Sequence, residues 1–151
     1  MAAFPASAAT TTSSLAVNAT VTANCSATTT AVAFGNVNVL SGTNTDATGG
    51  LSVTCTSGTA WSASASAGAG TGATLAVRKM ASGANLLNYA LYTDSARTTV
   101  WGDAADATTV KFSGTGNGAA QASTIYARVP SGQTSVPAGS YADTVTVTVT
   151  Y

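Results

Sequence analysis

Leu15-Ala16-Val17-Asn18-Ala19-Thr20-Val21-Thr22-Ala23-Asn24-Cys25 is the stretch on which the reading of this chain turns. Its odd positions are apolar or Cys throughout, and its even positions are polar apart from Ala16. A period of two sends those side chains to one face of an extended strand, so the segment carries a face made for a core. The other end repeats the pattern. Tyr141, Val145, Val147, Val149 and Tyr151 alternate with Ala142, Thr144, Thr146, Thr148 and Thr150. Between the two ends, alternation predicts strands near 31–40, 50–56, 60–66, 73–80, 86–93, 108–113 and 122–129, with terminal strands near 13–25 and 140–151. Gly-rich stretches at 68–72 and 114–118 read as turns, and no window sustains a helical period. Short strands at such spacing predict an all-β chain folded as a β-sandwich.

Composition narrows the class. The chain has 151 residues, enough for one domain with its own core. Hydrophobic residues make up 45% and charged ones only 7%, against about a quarter charged in ordinary soluble domains. Thr, Ser, Ala and Gly replace the missing charge, and the β-branched content is that of a folded chain rather than a disordered one. Formal net charge is zero, which favours self-association. Five Lys and Arg are too few for a polybasic surface, so nucleic acid is excluded as a partner. No run of 18 apolar residues occurs, so no membrane span is expected. Cys25 and Cys55 read as one disulfide in an oxidising compartment, the alternative being two separate buried thiols. Pro5-Ala6-Ser7-Ala8-Ala9 resembles the small-residue end of an export signal, although residues 1–4 supply neither its charged nor its apolar part.

Two one-sided strands at the ends raise a question of topology. A last strand lying inside a sheet leaves an apolar slot beside it when no further strand follows. An N-terminal strand too far from that slot leaves it open. Filling such a slot with a strand from another chain is β-augmentation.

Four segments resemble the spore coat protein U family, which includes the major subunits of archaic chaperone–usher pili. They are Phe34-Gly35, then Gly50-Leu51-Ser52-Val53-Thr54-Cys55 around the second cysteine. The third is Tyr89-Ala90-Leu91-Tyr92-Thr93-Asp94-Ser95-Ala96-Arg97-Thr98 with Trp101-Gly102, and the last is Gly139-Ser140-Tyr141-Ala142-Asp143-Thr144-Val145-Thr146-Val147-Thr148-Val149. The resemblance implies an incomplete immunoglobulin-like sandwich, completed by a donor strand from a neighbouring subunit. It implies a surface fibre of identical subunits for adhesion and biofilm formation. A periplasmic chaperone and an outer-membrane usher would be the assembly partners, and the extracellular cell surface the destination. Carried onto this chain, residues 1–8 are a leader remnant, 9–21 the donor strand and 22–151 the sandwich domain. The inserted side chains are Leu15, Val17, Ala19 and Val21, with Ala19 small for such a pocket. Val145, Val147, Val149 and Tyr151 form the acceptor side of the groove. Asp94 and Arg97 are expected to pair and stabilise a turn.

Other readings are a secreted sandwich that binds glycans or a surface, including a tip adhesin, and a coat protein of a resistant cell. An enzyme reading finds little support. His and Glu are absent, which removes Ser-His-Asp and Cys-His arrangements. No recognisable motif surrounds Lys79 or Lys111, and Asp103 and Asp106 read as solvated loop acids. No spacing suits a metal, and 114–118 lacks the Lys of a phosphate loop, so neither cofactor nor metal is expected. Asn18-Ala19-Thr20 matches the glycosylation tripeptide only formally. Trp61 and Trp101 read as core or interface anchors before sugar platforms.

Overall fold

A computed structural model describes residue 5, residues 7–103 and residues 110–151. Asp106 and residues 1–4 lie outside these, so the readings placed on them are not addressed. The described residues form eight antiparallel strands and no helix: β1 (Cys25–Thr30), β2 (Thr45–Cys55), β3 (Ala60–Ala65), β4 (Arg78–Ser82), β5 (Asn85–Tyr92), β6 (Phe112–Thr115), β7 (Ala120–Val129) and β8 (Val147–Thr150). One sheet runs β1-β2-β7-β5-β4 and the other β6-β3-β8. The two curl into a sandwich.

Alternation builds the core between the sheets. Leu51, Val53 and Cys55 of β2 are buried beside Ile125, Ala127 and Val129 of β7, Leu87, Tyr89 and Leu91 of β5, and Trp61, Ala63 and Ala65 of β3. Trp101 is 1% exposed, meets Phe112 edge-on with ring centroids 5.1 Å apart, and donates its indole N–H to the Ala63 carbonyl at 2.9 Å. Trp61 donates its own to Gln121 Oε1 at 3.0 Å. Both indoles therefore sit in the core with satisfied N–H groups, not on the surface as sugar platforms.

The least expected core member is Arg78, at 0% exposure. Its guanidinium donates to the carbonyls of Ser66, Leu75, Ala65 and Trp101 at 2.9–3.3 Å. A buried cation needs such an acceptor set to be tolerated, and burial still pulls its pKa below the usual arginine value. The Asp94–Arg97 expectation is corrected. Asp94 accepts from the N–H groups of Thr98 and Thr99 and closes the turn itself. Arg97, held in the left-handed region at φ 58°, points its side chain away to Asp46 at 3.4 Å and over the Tyr126 ring.

Five predicted strands differ: the one at 73–80 is laddered only from Arg78, as β4, and the one at 108–113, whose first two residues lie outside the described ones, only from Phe112, as β6. Residues 7–24 are exposed and outside any ladder, residues 31–40 alternate in burial without pairing, and of 140–151 only β8 is laddered, with a bridge from Ala142 to Ala81. Strand β1 itself falls between two predicted strands, on polar Ser26-Ala27-Thr28-Thr29-Thr30.

Candidate functional site

An open groove lies between residues 29–40 on one side and 136–147 on the other. It comprises two adjoining cavities of about 900 and 350 Å3 that share Val32, Phe34, Met80 and Tyr141. Apolar side chains stand on both walls, Val32, Phe34, Val37 and Val39 on one and Val136, Tyr141, Val145 and Val147 on the other, with Asn36, Asn38 and Ser140 between them. The floor is the core, with Leu87, Tyr89, Leu91, Trp101 and Ile125 reached through the opening. Phe34 and Tyr89 meet edge-on at 6.2 Å.

The backbone on both sides is unpaired in a specific way. Strand β8 pairs only with β3. Ser66 N–H donates to the Thr146 carbonyl, which continues the register Ser64↔Thr148 and Ser62↔Thr150. In an antiparallel ladder the bonded pairs alternate, so Thr146, Thr148 and Thr150 direct their peptide groups at β3. Val145, Val147 and Val149 therefore direct theirs away from β3 while their side chains pack on the core, and Val145 and Val147 border the groove. The opposite wall obeys the same rule. Thr56 N–H donates to the Asn24 carbonyl at 2.9 Å, which makes Asn24, Ser26, Thr28 and Thr30 the bonded partners of β2. Ala27 and Thr29 turn their peptide groups outward. The groove therefore has unpaired backbone on both sides, at Thr29 and at Val145 and Val147.

Two glycines let the first wall leave its sheet. A Cβ on Gly49 would stand 2.7 Å from Val32 Cγ2, and one on Gly50 would collide with Thr30 Oγ1. Only glycine permits this approach, so the chain crosses from β1 into the wall at residues 30–32. The other wall is fixed by Asp143, whose carboxylate accepts from Tyr89 O–H at 2.6 Å, Ala69 N–H at 2.8 Å and its neighbour Thr144 N–H at 2.7 Å. Burial first, then the bond to Asp143, pushes the Tyr89 hydroxyl well above the usual tyrosine pKa.

The residues singled out from sequence fall into three places. Cys25 and Cys55 are bonded, directly opposite each other on β1 and β2. Val145, Val147 and Val149 are half-buried against the core, whereas Tyr151 follows β8 and is 57% exposed. Leu15, Val17 and Val21 are 88, 84 and 84% exposed, and Ala19 is exposed with them. The first described hydrogen bonds into the body are those of Asn24. Sequence reasoning missed the wall at 136–139, whose Pro137-Ala138-Gly139 carries no alternation, and it missed Arg78, which no local pattern marks.

Nothing in the groove resembles a catalytic site. Among the described residues no three His, Cys, Asp or Glu converge on a metal position. Nor is any helix long and apolar enough to cross a membrane.

The sequence model of the Spore Coat Protein U domain family matches residues 11–148. No curated protein matches the chain by sequence. Among solved structures, a chain in the chaperone–tip adhesion subunit pre-assembly complex of the archaic chaperone–usher Csu pili of Acinetobacter baumannii superposes with a TM-score of 0.62 at 23% identity. That match covers 87% of the present chain and 40% of the other, so the chain spans less than half the length of the structure it resembles. The likeness establishes a common fold.

Proposed function

The chain belongs to the Spore Coat Protein U domain family, and on that premise we propose that it is a structural pilin which polymerises by donating residues 9–21, with Leu15, Val17, Ala19 and Val21 inserted, to the groove of a second copy. The observation that carries this reading is one mismatch in two places. A one-sided apolar strand stands in solvent, and a groove bordered by apolar side chains stands open in the same molecule.

Inserting Leu15, Val17, Ala19 and Val21 contributes roughly 5–8 kcal/mol of side-chain burial, at about 1.5–3 for each Val or Leu. The donor meets unpaired backbone at Val145 and Val147 on one side and at Thr29 on the other, so hydrogen bonds form along both walls. Each of these bonds adds about 0.5–1.5 kcal/mol net. The product is a surface fibre for attachment and biofilm formation. Before assembly, an open groove of this kind requires a periplasmic chaperone to cover it and an outer-membrane usher to exchange that cover for the next subunit. Export through the periplasm is consistent with the Cys25–Cys55 disulfide.

Val17→Asp tests the assignment. Val17 is 84% exposed in its own subunit, so the substitution leaves folding and disulfide formation unchanged, while a carboxylate carried into the groove blocks insertion. Folded subunits without fibres by electron microscopy are expected. Fibres of normal length from this variant would contradict the donor assignment.

A further inference from the structure

We propose that the three-residue junction Thr22-Ala23-Asn24 wires the chain for exchange between copies by placing its own groove out of reach. This rests on the reading of residues 9–21 as a donor strand. Asn24 is pinned: its N–H donates to Thr56 Oγ1 at 3.1 Å and its carbonyl accepts from Thr56 N–H at 2.9 Å. From there β1 runs away toward Thr30, and the groove opens only at the level of Thr29 and continues to Leu40. At about 3.3 Å per residue, the near mouth lies roughly 17 Å from Asn24, and the far mouth roughly 40–50 Å away if the wall is extended.

Two routes into the subunit's own groove exist, and both fail. In the first, the strand folds straight back on β1 through a two-residue loop at Thr22-Ala23. Val21 then lies opposite Asn24, Ala19 opposite Ser26, Val17 opposite Thr28 and Leu15 opposite Thr30. The apolar residues stay alongside β1, and the walls at Val32 and Phe34 meet Ser13 and Thr11 instead. The loop is also poor, because two-residue hairpins need positive φ and Thr22 is β-branched. In the second route the strand runs the other way, with residue 21 at the Leu40 mouth. Its return to Asn24 must then span the length of the groove, and two free residues reach about 7 Å. A linker that cannot span its sites gives an effective concentration near zero. A second copy faces no such limit.

The experiment uses the full chain with about 20 Gly and Ser residues inserted between Ala23 and Asn24, which extend to roughly 65 Å or more. A control carries the same insertion between Ala8 and Ala9, upstream of the donor strand, where the junction stays short. Mass is measured by light scattering at micromolar concentration, and heat resistance by thermal melting. A flexible junction raises the effective concentration of the strand at its own groove to about millimolar, some 100- to 1,000-fold above a neighbour's. The junction variant is therefore expected to be a monomer with the heat resistance of the polymer, and Val17→Asp added to it removes that resistance. The control is expected to polymerise like the unmodified chain. Polymer of unchanged mass from the junction variant, with the other chains polymeric too, overturns this inference alone. An unmodified chain that never polymerises overturns the donor reading, and the inference falls with it.

Discussion

Tyr89 and Asp143 stand 54 positions apart, yet a 2.6 Å hydrogen bond joins the floor of the groove to its wall. Both belong to segments quoted from sequence for their resemblance, but nothing in either segment announces that they touch. The bond has a pH signature. The Tyr89 hydroxyl is pushed up in the folded state, chiefly by burial, so its contribution is fully present below the unfolded tyrosine value of about 10 and is lost as pH rises through the folded value. Tyr89→Phe is expected to cost about 1–3 kcal/mol at neutral pH by leaving the carboxylate short of a donor. It is also expected to flatten the fall in stability above about pH 10, measured as urea midpoints against pH. An unchanged alkaline slope would show that the bond is not made. Asp46 behaves oppositely. The bond from Arg128 holds its carboxyl below the usual range, so that stabilisation is present at neutral pH and lost as acid protonates it. The pair is partly exposed, and its weight is accordingly small.

Strands were legible where a partner exists and misleading where none does. Alternation correctly marked β2, β3, β5 and β7, which are paired and face the core. The same alternation at 13–25 and 31–40 marked segments that carry a strand's side-chain pattern without a ladder. On the proposed reading, their pattern describes a pairing made with a second copy. In β8 it is half satisfied: side chains of Val147 and Val149 meet the core while their peptide groups point away from β3. Hydrogen exchange should expose this. The amides of Val145 and Val147 are expected to exchange fast in the free subunit and slowly after assembly, with Thr148 and Thr150 protected in both. Equal protection before assembly would mean that the edge is already covered. Strand β1, by contrast, was illegible because an exposed Ser-Thr edge has no apolar face to read. The disulfide is what anchors its start. Replacing both cysteines by Ala is expected to lower stability by about 3–4 kcal/mol, the chain-entropy value for a loop of about 30 residues, as read from the denaturant midpoint. A shift under 1 kcal/mol would mean that β1 holds without it.

At the scale of the molecule, this is a sandwich short of one strand that carries a strand short of a sandwich. Each half leaves apolar surface uncovered: the groove is bordered by half-buried Val32, Phe34 and Val145, and the free strand exposes Leu15, Val17 and Val21. On the proposed reading, a short junction keeps the two apart within one chain, and the two requirements are met along a row of copies. A heterologous contact of this kind, with donor and acceptor on different surfaces, propagates as a fibre unless its rotation happens to close a ring. Low charge and zero net charge suit that outcome, since little repulsion opposes stacking. The most direct measurement is migration of the purified unmodified chain in SDS, unheated against boiled. A ladder of multimers that collapses to a single band only on boiling is the predicted result, because inserted strands are held by hydrogen bonds along both walls and a buried apolar face. A single monomer band in both lanes would contradict the account.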